Sequence, residues 1–448
     1  MSKKSSKIKQ MWANSWVRRI FIILFTSVAI LGTASSCSLP NAFNLNQGSS
    51  ITYGILKSDP AIRSDGFVRA NSVIDLNGNT DNKGLSSLST LKMVRVTKDN
   101  LYVLTKEKGL FKSEDGAVNW KRSYVFPVGS SNTDANAKTK EITAQVATND
   151  KFIVSDFAVD ILQEKVIYVA GKENSIGKIF QSLDAGETYK EIYSEVEKNI
   201  GVLFLSVDPI NSLRIFAVLD GGALLRSLDG GLTWQKIRSF KDVPVQIGFV
   251  PEFGSLLFVL FEKDGLATSR NNGTTWEVTP LTKAASEIGE NQPKDGLDLS
   301  FSNDAKFGRY EKIIPVTATL SYDKETGKVN RPNNPKPWIL IGDRQMWYSE
   351  DAGKDFKKLI LPLQSEQLNL YDVAPDPNSG LGQIYASVDN RLFITRNKGQ
   401  TWNTQDNINL SGTIGNISQI IIDKDSPQVV YVCLVNAKFK RSNGLFQF

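Results

Sequence analysis

The sequence predicts an all-β fold, a single β-propeller of four-stranded blades, and three observations carry that prediction. An eight-residue pattern recurs six times between residues 113 and 402. The stretches between copies are short β-type runs separated by turn residues. The shorter intervals between copies, 42 to 46 residues, are the period of a four-stranded blade.

The pattern reads Ser, any residue, Asp, any residue, Gly, any residue, Thr, then an aromatic. Its purest copy is Ser227-Leu228-Asp229-Gly230-Gly231-Leu232-Thr233-Trp234. The first copy has Ser113, Asp115 and Trp120, with Ala117 where Gly is expected. The second has Ser182, Asp184, Gly186 and Tyr189, and the fourth has Ser269, Asn271, Gly273 and Trp276. The fifth has Ser349, Asp351, Gly353 and Phe356, and the sixth has Thr395, Asn397, Gly399 and Trp402. Each position has a physical reason. Ser/Thr and Asp/Asn side chains bond nearby backbone groups and hold a tight turn. Gly supplies positive φ, and the aromatic anchors the following strand in the core. The pattern is therefore a clip between two strands.

Around the purest copy lie Leu203–Val207, Arg214–Val218, Ala223–Arg226 and Gln235–Ile237, which make four strands. Equivalent Asp/Asn positions are 69, 45, 42, 80 and 46 residues apart. The two long intervals are read as loop insertions, near residues 127–150 and 281–337. The C-terminal runs Ile417–Asp423, Val429–Val435 and Gly444–Phe448 supply three strands. A strand near Ile51–Lys57 completes that blade and removes an exposed edge. Seven blades is the count this spacing favours, with six and eight open.

Composition separates a leader from the body. The formal charge is +6, and Lys3, Lys4, Lys7, Lys9, Arg18 and Arg19 all precede the apolar run Ile20–Leu31. Without those six the chain carries 47 basic and 47 acidic residues, so the electrostatic footprint of a nucleic-acid binder is absent and no nucleic-acid partner is expected. Residues 1–36 read as a secretory signal peptide. The run is too short to span a bilayer, and an uncleaved anchor stays as the alternative. Small residues Gly32 to Ser36 lead to Cys37, which resembles a bacterial lipobox, with Ala34 where that family usually has Leu. The resemblance implies lipidation of Cys37, an anchor on the extracytoplasmic face of a bacterial membrane, and a tether over 37–50. The propeller then spans 51–448. Cys433, the only other cysteine, lies in a strand-like run and reads as a core residue. A disulfide with Cys37 stays open where Cys37 carries no lipid.

The eight-residue pattern resembles the Asp box, or bacterial neuraminidase repeat. That repeat is found in sialidases, xyloglucanases, sortilin-type receptors and the photosystem II stability/assembly factor family. With Val207-Asp208-Pro209-Ile210-Asn211 preceding a strand and Leu225-Arg226-Ser227-Leu228-Asp229 entering a box, the phrasing looks most like the photosystem-factor-like and sortilin-like branches. The motif implies the fold and says little about activity.

The sequence has no histidine, which removes Ser-His-Asp and Cys-His catalysis and the commonest zinc ligand. The Phe/Tyr-Arg-Ile-Pro tetrapeptide of sialidases is missing, as is a phosphate-binding Gly loop. Each box offers too few oxygens for calcium. The expectation is a non-catalytic, membrane-tethered binding or assembly module for a protein or glycan partner, with no cofactor, no metal and the two insertions as candidate recognition loops. The alternative is a secreted sialidase-like glycoside hydrolase using two carboxylates.

Overall fold

Apolar runs of five to nine residues, punctuated by Gly- and Asp-rich turns, condense into strands, and every regular element among the described residues is a strand. The structure, a computed structural model, describes residues 53–58, 67–75, 77–82, 84–123, 152–242, 244–250, 256–279, 310–315, 321–322, 329–330, 338–342, 345–349, 356–359, 370–376, 378–404, 415–436, 441–442 and 445–446.

Seven blades of four antiparallel strands form a β-propeller, six of them as separate four-stranded sheets. Blade one is Thr90–Arg95, Leu101–Thr105, Gly109–Ser113 and Asn119–Arg122. Blade two is Phe152–Val159, Ile167–Glu173, Ile176–Ser182 and Lys190–Ser194. Blade three is Val202–Asp208, Asn211–Leu219, Ala223–Ser227 and Gln235–Ser239. Blade four is Pro244–Val250, Leu256–Phe261, Leu266–Ser269 and Glu277–Thr279. Blade five is Tyr310–Pro315, Trp338–Gly342, Gln345–Ser349 and Lys357–Leu359, and blade six is Leu370–Asp376, Gly380–Val388, Arg391–Thr395 and Asn403–Thr404. First strands of successive blades stand against one another at five interfaces, and side-chain ion pairs link them at the other two, so together they mark the middle of the ring.

Each blade buries both faces, so its second strand reads as an unbroken apolar run rather than an alternating one. In Val430–Val435 the alternation is between neighbours. Val430, Val432 and Leu434 pack toward blade six, while Tyr431 and Cys433 pack toward blade one. One apolar cluster fills each of the seven interfaces. Fourth strands such as Lys190–Ser194 and Gln235–Ser239 are largely exposed.

Blade seven closes the ring with two strands from each end of the chain, where the sequence suggested three and one. Its order is Phe67–Arg69, Gly54–Ser58, Val430–Val435, Asn416–Ile422, with Ile55 opposite Cys433 and Leu56 opposite Arg69. Phe67 enters the core between blades six and seven, which is why a second N-terminal strand is held there. The C-terminal run instead folds on itself, Arg441–Ser442 against Leu445–Phe446. The chain then crosses to blade one, where Ser72–Ile74 adds in parallel to Asn119–Arg122 and Thr80–Asp81 pairs beyond it. Blade one thus becomes a six-stranded sheet.

A second correction concerns the insertion placed at 281–337. Tyr310–Pro315, inside that range, is the first strand of blade five and pairs with Trp338–Gly342, with Ile313 fully buried. Cys37, the leader and tether, Asp351, Gly353 and the whole of 127–150 lie outside the described residues.

Candidate functional site

The five described Asp boxes close the turn between third and fourth strands by one hydrogen-bond scheme. Ser227 Oγ accepts from Gly231 N–H (2.8 Å) and donates to Asp229 Oδ1 (2.7 Å). Asp229 Oδ1 also accepts from Thr233 N–H (2.9 Å), and its Oδ2 accepts from the Thr233 hydroxyl. Ser113/Asp115, Ser182/Asp184, Ser269/Asn271 and Thr395/Asn397 repeat the bonds to Oδ1, and in the two Asn copies Nδ2 donates to the Thr hydroxyl instead (2.8 Å). The Thr233 hydroxyl and amide hold Asp229 well ionised, its pKa down at about 2. Asp184 is lowered too: desolvation opposes this, and the Thr188 and Ser182 hydrogen bonds outweigh it.

Glycine is required at Gly231, where φ is +93° and a Cβ would lie 2.7 Å from Ile192 Cδ1 of blade two. In the first copy Ala117 takes φ 69°, and its methyl is buried in the core shared by blades seven and one. That burial offsets the left-handed strain of a non-glycine residue.

The aromatics take different depths. Trp120 and Tyr189 are fully buried, whereas Trp234, Trp276, Phe356 and Trp402 are partly buried against the interface clusters. Trp120 Nε1 donates to Ala70 O (2.8 Å), between the blade-seven strand Phe67–Arg69 and Ser72–Ile74. Trp276 Nε1 donates to Gly273 O of its own box (2.9 Å). The buried Tyr189 Oη meets Ser123 Oγ at 2.8 Å, and burial raises its pKa. Ser349 is buried. Cys433 is fully buried and its thiol is pushed up to about 12 by desolvation, a protonated and inert sulfur.

A second constellation, unnoticed in the sequence, lines the middle of the ring. Every first strand carries a bulge, directly after its opening residue in five blades, at Ser155 in blade two and at Ser418 in blade seven. The bulge re-aims the next side chain toward the neighbouring blade. Those side chains are Lys92, Asp156, Phe204, Gln246, Lys312, Asp372 and Gln419. Lys92 Nζ bonds Asp156 Oδ1 (2.6 Å) and Phe157 O (2.7 Å), and Asp156 Oδ2 accepts from Leu205 N–H (2.9 Å). Gln246 accepts from Ile313 N–H (2.7 Å) and donates to Ile313 O (2.9 Å). Lys312 pairs with Asp372, whose Oδ2 accepts from Ile420 N–H (2.8 Å), and Gln419 accepts from Met93 N–H (2.6 Å). Six of the seven interfaces carry such a clamp. At the seventh, between blades three and four, Phe204 stands in the same place among Phe216, Phe249 and Ile247.

A further turn repeats at the ends of first strands. Asp160, Asp208, Asp376 and Asp423 are buried and accept from the backbone N–H two residues on. Arg214 pairs with Asp208, and Arg95 reaches across from blade one to Asp423 (2.8 Å). A carboxylate engaged by a lysine or arginine and by backbone amides is poorly placed to take a substrate proton. Among the described residues no cluster of acidic or cysteine side chains is arranged to hold a metal ion. A polar residue two to four places into six of the seven first strands, as in Thr90-Leu91-Lys92-Met93, was the available sequence signal.

Fold and turns together define a seven-bladed propeller of the Asp-box type. Residues 134–432, about two-thirds of the chain, match the family described as photosynthesis system II assembly factor YCF48, and the chain belongs to that family. Among curated proteins none matches the sequence significantly. Of solved structures, the GH74 xyloglucanase from Xanthomonas campestris has a TM-score of 0.52 at 15% identity, over 80% of this chain and 53% of the enzyme. This chain therefore spans about half of that enzyme, and the likeness is one of fold. A YCF48 bound to D1 peptide has a TM-score of 0.48 at 13% identity, over 79% of this chain and 94% of that one. YCF48 from Cyanidioschyzon merolae has a TM-score of 0.46 at 11% identity, over 78% and 96%.

Proposed function

We propose that this protein is a non-catalytic assembly module that binds a protein partner, tethered through a lipid on Cys37 to the extracytoplasmic face of a bacterial membrane. The observation that carries the reading is its membership of a family described as an assembly factor. The carboxylates of the boxes and of the inner ring support it, because each is committed to holding a turn or a neighbouring blade. The leader ahead of Cys37 motivates the membrane part.

The experiment is cross-linking of the tagged, processed full chain in membranes of its host, alongside turnover assays on sialosides and β-glucans. The expected result is a specific cross-linked protein and no turnover. Turnover abolished by one carboxylate substitution would make it a glycoside hydrolase, and capture of glycan alone would replace the protein partner. Palmitate labelling tests the tether separately: Cys37→Ser is expected to lose the label, and unchanged labelling would remove the lipid anchor.

A further inference from the structure

Large aliphatic side chains grouped in water on one face mark a surface that something else covers. The turn between the first two strands and the Asp box between the last two lie at the same end of each blade. Gly230 N–H donates to Leu213 O (3.0 Å) in blade three, and Ala185 N–H donates to Lys165 O (2.8 Å) in blade two. At that end Ile161, Leu183, Leu213, Leu228 and Leu232 are between 46% and 78% exposed.

These five are neighbours. Leu213 lies over Gly230, where a Cβ would meet its Cδ2 at 3.6 Å, so it sits beside the turn that carries Leu228 and Leu232. The Gly230 carbonyl accepts from Tyr168 Oη (3.3 Å) and Gln181 Nε2 (3.2 Å) of blade two, joining that turn to the strand that leads into Leu183. The repeat does not demand leucine there. The box scheme uses its first, third, fifth and seventh positions. At the second position blades four and six carry Arg270 and Arg396 where blades two and three carry Leu183 and Leu228.

The surrounding charge is acidic. Asp184 and Asp229 stand in the same two boxes, and Glu164 and Glu187 are exposed beside them. Against these four carboxylates stand the exposed Lys165 and Lys190, while Arg214 is held by the buried Asp208, and Lys112 by Glu114 and Glu187. The five apolar side chains expose roughly 500 Å², less than the ~800 Å² each partner of a stable protein pair contributes. That area suits one short segment rather than a second copy of the chain, and the carboxylates repel an anionic lipid surface.

We propose that the Asp-box face of blades two and three is a docking surface for a short apolar segment of a partner protein flanked by lysine or arginine. Its apolar side chains lie on the leucines and its cations reach Glu164, Glu187 and the box carboxylates. This inference rests on the protein-binding reading above.

The test uses the full chain and two synthetic peptides of identical leucine spacing, one with lysine and one with glutamate at the flanking positions. Phosphatidylcholine vesicles with and without phosphatidylglycerol are run in parallel. The lysine peptide is expected to bind, more weakly as salt rises, and the glutamate peptide at least about tenfold less tightly. Leu183→Ser/Leu228→Ser/Leu232→Ser is expected to melt like wild type and bind the lysine peptide at least about tenfold less. Glu164→Lys, at an exposed position, should weaken it as well. Equal binding of both peptides, an unaffected leucine variant, or vesicle binding that the leucine variant abolishes would overturn the surface. If wild type and leucine variant cross-link the same native protein equally, the surface fails while the binding reading stands. If wild type cross-links none, the binding reading itself fails.

Discussion

Within one box, the carboxylate and the aromatic do different physical work, and acid separates them. The Asp229 pKa lies near 2 because Thr233 and Ser227 bond its charged form. A carboxylate depressed in the folded state contributes stability that is complete above its ordinary pKa near 4 and vanishes as pH falls through the folded value. Asp184 and Asp115 are shifted the same way. Melting temperature is therefore expected to fall between about pH 4 and pH 2, and less steeply in Asp229→Asn, as thermal melts across that range will measure. Trp120 is a volume question instead. Fully buried with its Nε1 on Ala70 O, it should cost about 3 to 5 kcal/mol on truncation to Ala. Trp234, partly buried, belongs at or below the low end of that range; urea titration of both variants compares them.

Between blades the stakes move from side-chain volume to unmade polar bonds. Thr90 Oγ1 shares its one proton between Gly54 O (2.9 Å) and Leu434 O (3.0 Å) and accepts from Leu434 N–H (2.9 Å), joining blade one to both chain ends in blade seven. Thr90→Val keeps the shape and strands these groups, at an expected cost of about 1 to 3 kcal/mol. Asp372, almost wholly buried, serves Lys312 of blade five and Ile420 of blade seven together. Asp372→Ala should cost about 3 to 5 kcal/mol, because it leaves a partly buried lysine without its carboxylate. Lys98→Ala, removing a 3.9 Å pair at the surface, should change stability by no more than about 0.5 kcal/mol. Chemical denaturation of the three variants ranks them, and a Lys98 effect equal to that of Asp372 would refute the ring of clamps as a source of stability.

At the scale of the whole molecule, seven apolar clusters and six polar clamps form a closed circuit in which each blade depends on two neighbours. Calorimetry is expected to show one cooperative unfolding transition. Thr90→Val at the one-to-seven interface and Asp372→Ala at the five-six-seven interface should both lower that single transition. A separate early peak in either variant would mean that blades melt independently.

The blade count, the positions of the boxes and the closure by an N-terminal strand were legible in the sequence, because a repeat makes each local rule visible six times over. The serine-to-glycine and aspartate-to-threonine bonds act within eight residues, so spacing alone reveals them. The inner ring was not legible: Lys92 and Asp156 are separated by 64 positions, and one polar residue in an apolar run carries no mark of its partner. Nor was the two-and-two closure, because the place of Phe67–Arg69 depends on a core between blades six and seven that exists only once the ring has formed. The leucines of blades two and three lie in the same class. In the sequence they fill variable box positions, and only folding brings Ile161 and Leu213, from other turns, to the same end of the blades. Sequence by itself determined the local turns and the apolar periodicity, which are interactions between near neighbours. Tertiary structure alone decided which distant polar groups meet and which apolar side chains stay in water, because both depend on surfaces that closing the ring creates.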